Sequence, residues 1–367
     1  MSGKPNTTKT DAAGDRHVDD TVVRLRRWGS DQVYLLPAAN DNVAGGEWII
    51  GSAETCWMTL ADPQSRVSRR HAALVRERDR WTIRDLGSKN GMKIDGAPCN
   101  DAVLSPGLEV WLGGVTLVAE STRSAALRAF LARILGWSPA RAQVVDLALR
   151  SVRMASARRS ALVICGEDDV VSIARSLHRR ALGAERPFVV CDPRRKRAEA
   201  NVRNAQNHAD GMPAFAAATH GTLCVWSSRL PRDFADVKAA LVDPDARVNL
   251  VVCARDAAEA EVFGAVPIAV PALDTRKDEI ERIVFEYAGD AAGELGLAST
   301  AFTRRDREWV LQHETGTLPE IEKAAIRLLA IRSEDGNLSR AALRLGMARM
   351  SLYKWIGRRK LPVVLRE

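Results

Sequence analysis

Four apolar runs between residues 160 and 256, "SALVICGE", "PFVVCD", "HGTLCVWSS" and "ARVNLVVCARD", constrain the fold of this chain most strongly. Each is short and continuously apolar, with helical stretches between some of them. That pattern predicts a parallel sheet buried on both faces, because crossover helices cover both sides. Just before it, Ala125 to Arg158 carries apolar residues at three- and four-residue spacing, interrupted by "GWSP". Two amphipathic helices are expected there. Residues 22–120 follow another grammar: "VVRLRRW", "QVYLLP", "EWIIG", "HAALVRER", "RWTIRDLG", "MKIDG" and "EVWLGGVTLVAE" recur about every ten residues between Gly, Pro, Asn and Asp. That spacing predicts an antiparallel β-sandwich.

A chain of 367 residues has room for several modules. No apolar run approaches the roughly 20 residues of a membrane helix, so no membrane partner is expected. Residues 1–20 are polar and mixed in charge, without the apolar core of a secretory signal, and read as a disordered tail of a cytoplasmic protein. The six cysteines show no CxxC spacing, and four lie in or beside apolar runs. Reduced, buried thiols are expected rather than disulfides or a metal site. The net charge of +8 is concentrated between Arg340 and Lys360, where acidic residues are absent.

Within the sandwich, "IIGS" at 49–52, "VSRRHAAL" at 67–74 and "IRDLGSKNGMKIDG" at 83–96 together resemble a forkhead-associated (FHA) domain. The resemblance implies phosphothreonine recognition by loops at one end of the sandwich. Ser68 and Arg69 would meet the phosphate, Lys89 and Asn90 would hold the phosphate and the ligand backbone, and His71 would brace the loop carrying Ser68. The chain departs from the family in having Gly51-Ser52 where a Gly-Arg pair is usual. Arg66, Arg69, Arg70 or Lys89 could supply the missing cation. The competing reading is an interaction domain that no longer needs phosphate.

The central runs resemble the AAA+ ATPase domain of bacterial enhancer-binding proteins, which activate polymerase carrying sigma-54. "ICGE", Ala174-Arg175-Ser176-Leu177-His178, Pro187-Phe188, Gly221 to Ser227 and "VPALDTRKDEI" at 270–280 carry the likeness. The chemistry that the resemblance implies is missing. A phosphate loop needs glycines and a lysine, yet "EDDVVSI" follows Gly166, with Asp168 and Asp169 placed to repel phosphate. Trp226-Ser227 replaces the carboxylate pair that would hold Mg²⁺ and activate water. Pro319 falls where a nucleotide-sensing Arg is expected, and "NHADGMPAFAAATHG" lacks the GAFTGA loop that engages the sigma factor. No catalytic residue, cofactor or metal is assigned. Arg276, near the family's intersubunit Arg, reads as a solvated surface residue.

"EDGNLSRAALRLGMARMSLYKWIGRRKLP" has helix-turn-helix grammar: Asn337 or Ser339 as a cap, Gly346 at the turn, and a second helix from near Ala348 with Leu352 and Ile356 on one face. It resembles the Fis-type domain that ends most enhancer-binding proteins. That likeness implies DNA contacts from Arg349, Met350, Ser351 and Lys354, with Arg358, Arg359 and Lys360 on backbone phosphates. Trp355 reads as part of a dimer seam. The helix at "LPEIEKAAIRLLAIR" or the central scaffold could pair a homodimer.

The expected organisation is multidomain: a tail at 1–20, an all-β FHA sandwich at 21–120, an α/β AAA+-like parallel sheet at 121–290 with a helical lid at 291–332, and an α-helical helix-turn-helix at 333–367. The expected function is a non-enzymatic, DNA-binding transcriptional regulator that senses a phosphorylated protein. Two alternatives stand beside it: an ATP-dependent sigma-54 activator with a divergent nucleotide site, and an FHA phosphopeptide adaptor that does not bind DNA.

Overall fold

A computed structural model describes residues 21–37, 46–78, 80–167, 169–195, 205–243, 245–357 and 359–365. The tail expected at 1–20, Asp168 and Arg358 lie outside the described residues. The chain divides into two compact units, one running to Ala129 and including Ser138–Leu149, the other formed by Phe130–Trp137 and the chain from Arg150 onward.

The first unit is a β-sandwich. Its strands are β1 (Val22–Arg27), β2 (Val33–Leu35), β3 (Glu47–Gly51), β4 (Met58–Thr59), β5 (Ala72–Glu77), β6 (Arg80–Asp85), β7 (Met92–Ile94), β8 (Ala97–Pro98), β9 (Asp101–Val103), β10 (Glu109–Leu112) and β11 (Val115–Ser121). They form one sheet in the order β2-β1-β11-β10-β7-β8 and another in the order β4-β3-β5-β6-β9. Between them lie Leu25, Ile50, Leu74, Ile83, Leu112 and Leu117, all fully buried, with Trp48 and Trp81 edge to face at 5.1 Å.

The helices expected over 125–158 are α1 (Thr122–Leu135) and α2 (Ala142–Arg158). The boundary expected at 120 does not coincide with the division between the units, because parts of both helices group with the sandwich. Asp146 supplies the reason: it takes the buried guanidinium of Arg26 at 2.6 Å, and Arg26 also pairs with Glu120 at 2.7 Å. A buried charge is tolerable only when fully paired, which fixes this stretch to β1 and β11.

In the second unit β12 (Leu162–Cys165), β13 (Phe188–Cys191), β14 (Gln206–His208), β15 (Thr222–Trp226), β16 (Asn249–Ala254) and β17 (Ile268–Ala269) form a sheet in the order β14-β13-β15-β16-β12-β17. Its pairings are parallel. The four apolar runs are β12, β13, β15 and β16; β14, a three-residue edge strand, was not anticipated. Cys165, Cys191, Cys224 and Cys253 are free and buried, and no disulfide occurs among the described residues.

Helices α3 (Val170–Leu182), α4 (Gly211–Ala217), α5 (Phe234–Val242) and α6 (Ala257–Glu261) lie between the strands; α7 (Ile280–Glu294), α8 (Arg304–His313), α9 (Leu318–Ser333), α10 (Leu338–Arg344) and α11 (Arg349–Ile356) follow them. The motif "ARSLH" is explained by packing. His178 is buried, with Nδ1 2.8 Å from Thr222 Oγ1, Nε2 3.0 Å from the Arg186 carbonyl, and its ring 5.3 Å from that of Phe188. The carbonyl can only accept, so Nε2 carries the proton and Nδ1 accepts from the hydroxyl.

Two expectations need correction. Arg276 is not solvated: it is 6% exposed and donates to the last carbonyls of α1, Ile134 at 2.9 Å and Arg133 at 2.7 Å, while pairing with Glu279. A cation at a helix C-terminus satisfies carbonyls left without helical partners. The helix α9, considered for pairing two copies, buries Leu318, Ile321, Ala324, Ala325, Leu328, Leu329 and Ile331 within its own unit. It has no free apolar stripe for a second copy.

Candidate functional site

The loops at one end of the sandwich are held by short polar contacts. Asp62 begins the β4–β5 loop, accepting from the backbone N–H of Gln64 at 3.1 Å, Arg66 at 2.6 Å and Val67 at 3.0 Å. Burial pushes its carboxyl up, but those donors and the Gly114 N–H outweigh burial and hold it below the ordinary carboxylate range. Asp85 organises the β6–β7 loop likewise, accepting from Gly87 and Ser88 N–H at 3.0 Å each and from Ser88 Oγ at 2.6 Å. Gly87 adopts φ +71°, a left-handed turn conformation that favours glycine.

These two loops are joined. Lys89 N–H donates to Ser68 Oγ at 3.1 Å, and Asn90 Nδ2 donates to the Arg66 carbonyl at 2.7 Å. His71, fully buried, accepts from Ser68 N–H through Nδ1 at 3.1 Å and donates from Nε2 to the Gly91 carbonyl at 3.2 Å. Gly51 lets the end of β3 approach them: a Cβ there would fall 2.1 Å from the Arg69 carbonyl oxygen. Ser68 is half-buried, while Arg66, Arg69, Arg70, Lys89 and Asn90 are exposed. The four expected residues Ser68, Arg69, Lys89 and Asn90 therefore share one apex, with a hydroxyl, an amide and exposed cations together. Ser52 is also exposed there, and its N–H donates to the Ser68 carbonyl at 3.0 Å. The anchoring Asp62 was overlooked, although an Asp-Pro pair is a turn signal.

The parallel sheet carries a second candidate site. The β12 connection runs toward one edge and the β16 connection toward the other, so their adjacent carboxyl ends form the topological switch point where such sheets bind ligands. Here Asp169 caps α3, accepting from Ser172 N–H at 3.3 Å and Ser172 Oγ at 2.6 Å, with Lys323 Nζ at 3.6 Å. A carboxylate thus occupies the helix N-terminus that would attract a phosphate.

Beyond β15 and β16, Ser227 Oγ donates to Glu259 at 2.7 Å and Arg255 pairs with Glu259 at 2.6 Å. The Ser227 hydroxyl and then Arg255 hold the Glu259 carboxyl down to about 2. Asp192, 1% exposed, takes Arg229 at 3.1 Å. Among the described residues, no group of three or more His, Cys, Asp and Glu side chains could hold a metal ion.

The C-terminal helices form a helix-turn-helix. Asn337 caps α10, its Oδ1 accepting from Arg340 N–H at 2.9 Å, and Gly346 turns the chain at φ +58°. Ala348, at the cap of α11, has no side-chain bond to offer. Leu352 and Ile356 point inward, whereas Arg349, Met350, Ser351 and Lys354 are exposed on α11 and Lys360 is exposed just beyond it.

Arg359 is placed differently from the expectation. Arg359 pairs with the buried carboxylate of Glu314 and donates to the Trp355 carbonyl at 2.8 Å, so its charge is engaged within the fold rather than free for a phosphate. Trp355 is half-buried and packs 6.1 Å from Trp309 with the Arg327 guanidinium 5.0 Å from its ring centroid. Arg358 lies outside the described residues. No described helix is long and apolar enough to cross a membrane.

Comparison with known proteins matches two segments. The FHA domain family matches residues 48–113, and the family of bacterial regulatory proteins of Fis type matches residues 317–357, a span that takes in α9 as well as α10 and α11. The oxoglutarate dehydrogenase inhibitor of Corynebacterium jeikeium (strain K411) is 44% identical over 52 residues, 14% of this chain, so the chain spans only 36% of that relative. An FHA structure solved in a study of phosphothreonine-dependent FHA domain interactions is 29% identical, covering 27% of this chain and 96% of that one at a TM-score of 0.24. Mycobacterium tuberculosis EmbR in complex with a low-affinity phosphopeptide is 22% identical, covering 28% of this chain and 24% of that one at a TM-score of 0.24. The chain thus carries an FHA domain at residues 48–113 and a Fis-family helix-turn-helix segment at 317–357.

Proposed function

We propose that this protein is a DNA-binding transcriptional regulator whose FHA domain recognises a phosphothreonine on a partner protein and whose central sheet is a scaffold without nucleotide hydrolysis. The observation that carries the DNA reading is the division of α11: Leu352 and Ile356 are buried while Arg349, Met350, Ser351 and Lys354 face solvent from its first turns. A recognition helix reads base edges in the major groove with its N-terminal residues. At the sandwich apex, the half-buried Ser68 hydroxyl, the Asn90 amide and the exposed Arg69 and Lys89 suit a phosphate carrying about −1.5 to −2 charges.

The central unit retains motifs that resemble an AAA+ domain of the sigma-54 activators. Asp169 at the α3 N-terminus and the Arg255–Glu259–Ser227 cluster support a scaffold role, because phosphoryl transfer depends on positioned cations and metal-binding carboxylates.

Selection of bound fragments from sheared genomic DNA with the full-length protein tests the reading. A shared site, with Arg349→Ala losing preference for it, is the expected result. Recovery of the same background fragments by wild type and variant would leave an FHA-based adaptor.

A further inference from the structure

A second cationic element borders the helix-turn-helix from outside the matched segment. Helix α8 is joined to the end of the recognition helix through Trp309: its indole Nε1 donates to the Lys360 carbonyl at 2.7 Å and its ring packs against Trp355 on α11. The contact is reinforced by the buried Glu314, just beyond α8, which holds Arg359. Asp306 on the same helix accepts the Arg332 guanidinium of α9 at 2.6 Å. Helices α8, α9 and α11 are therefore cross-linked by buried polar and aromatic contacts.

On α8, residue 305 precedes Trp309 by one turn, and residues four apart share a helix face. Asp306, Trp309 and Val310 are buried, which puts Arg305 on the exposed rim of that face, on the side of Trp309 and hence of Lys360. Its neighbours are occupied: Arg304 pairs with Glu308 at 2.7 Å and Arg307 with Glu281 at 3.3 Å. No ion pair among the described residues engages Arg305, Arg349, Lys354 or Lys360, and all four are exposed. A rim of unpaired cations beside a recognition helix fits an extended polyanion, and sequence-independent phosphate contacts are what set register on a duplex.

We propose that the DNA-contacting surface extends beyond the helix-turn-helix onto α8, where Arg305 together with Lys360 grips the phosphate backbone flanking the bases read by α11. This rests on the DNA-binding reading above. Arg305 then contributes affinity and salt dependence without contributing base preference.

The test uses the full-length protein and a duplex recovered by selection from a random-sequence library, titrated from 50 to 300 mM KCl. Each phosphate contact adds about 0.9 to the slope of log affinity against log salt. Arg305→Gln and Lys360→Gln should each lower the slope by about 0.9 with the recovered site unchanged, and their combination by about twice that. Arg304→Gln, which removes an already paired cation from the same helix, should leave the slope unaltered. An unchanged slope in Arg305→Gln while Arg349→Ala weakens the site would overturn the proposal but leave DNA recognition standing. Equal losses in Arg304→Gln and Arg305→Gln would also overturn it, since net charge would then explain both. If the wild-type protein selects no duplex, the DNA-binding reading falls and the extension with it.

Discussion

The sandwich apex and the carboxyl edge of the parallel sheet are both places where ligands bind in their kinds of fold, yet they treat their charges in opposite ways. At the apex, acidic side chains serve the backbone, with Asp62 and Asp85 turning the loops, and the cations Arg66, Arg69, Arg70 and Lys89 remain exposed. At the sheet edge, Asp169 caps its own helix, Glu259 is shared by Ser227 and Arg255, and Asp192 takes Arg229. A place that leaves donors for an anion can bind one; a place whose donors and acceptors already match one another has nothing left to exchange for a ligand.

The largest departure expected is at the apex. Ser68→Ala should weaken binding of a phosphothreonine peptide by about tenfold to a hundredfold, the effect of losing a charge-assisted hydrogen bond of ~1.5–3 kcal/mol. Fluorescence anisotropy with phosphorylated and unphosphorylated forms of one peptide would measure it. Equal binding of both forms would mean that the apex no longer needs phosphate. Gly51→Ala, which drives a Cβ against the Arg69 carbonyl, should cost about 1–3 kcal/mol of stability, read from the denaturant midpoint. A wild-type midpoint would show that the close approach of β3 is dispensable.

Much of this contrast was legible in the sequence. The lack of glycine and lysine just after Gly166 and of carboxylates at Trp226-Ser227 could be read directly, as could a cap at Asn337 or Ser339 and the inward Leu352 and Ile356, because each depends on neighbours within a few residues. The distant partners of buried charges could not be read. Arg276 reaches carbonyls 142 and 143 residues away, and Glu314 meets Arg359 across 45 residues. Such partners are chosen by tertiary packing, which local periodicity does not encode. The same holds for α9, whose amphipathic pattern suggested a free face until α7, α8 and α10 packed around it.

The packing of His178 predicts a pH effect. Burial first, then the charges of Arg175 and Arg179, lower the His178 pKa against the opposing Arg186 carbonyl. The unfolded chain then binds this proton more readily. Stability from neutral His178 is complete above the ordinary value of about 6.5 and is lost as pH falls from there toward the lower folded value. Denaturation curves between pH 7.5 and 5 should show a loss that His178→Gln reduces; identical pH dependence in the two proteins would contradict it.

At the sheet edge, carbon-detected NMR should find Glu259 titrating at about 2, far below an ordinary glutamate. A midpoint near 4 would mean that the Ser227–Glu259–Arg255 cluster is open in solution. Lys323→Ala should matter least: its 3.6 Å pair with Asp169 is half exposed and worth ~0–1 kcal/mol.

The most direct comparison of the two places is a pair of calorimetric titrations on the same full-length protein, one with a degenerate phosphothreonine peptide library and one with Mg-ATP at millimolar concentration. Saturable binding of the peptide, lost on dephosphorylation and in Ser68→Ala, together with no saturable heat from Mg-ATP, is the predicted result. Saturable Mg-ATP binding that Arg255→Gln or Asp169→Asn alters would contradict it, placing a working nucleotide site where the charges are here matched to one another.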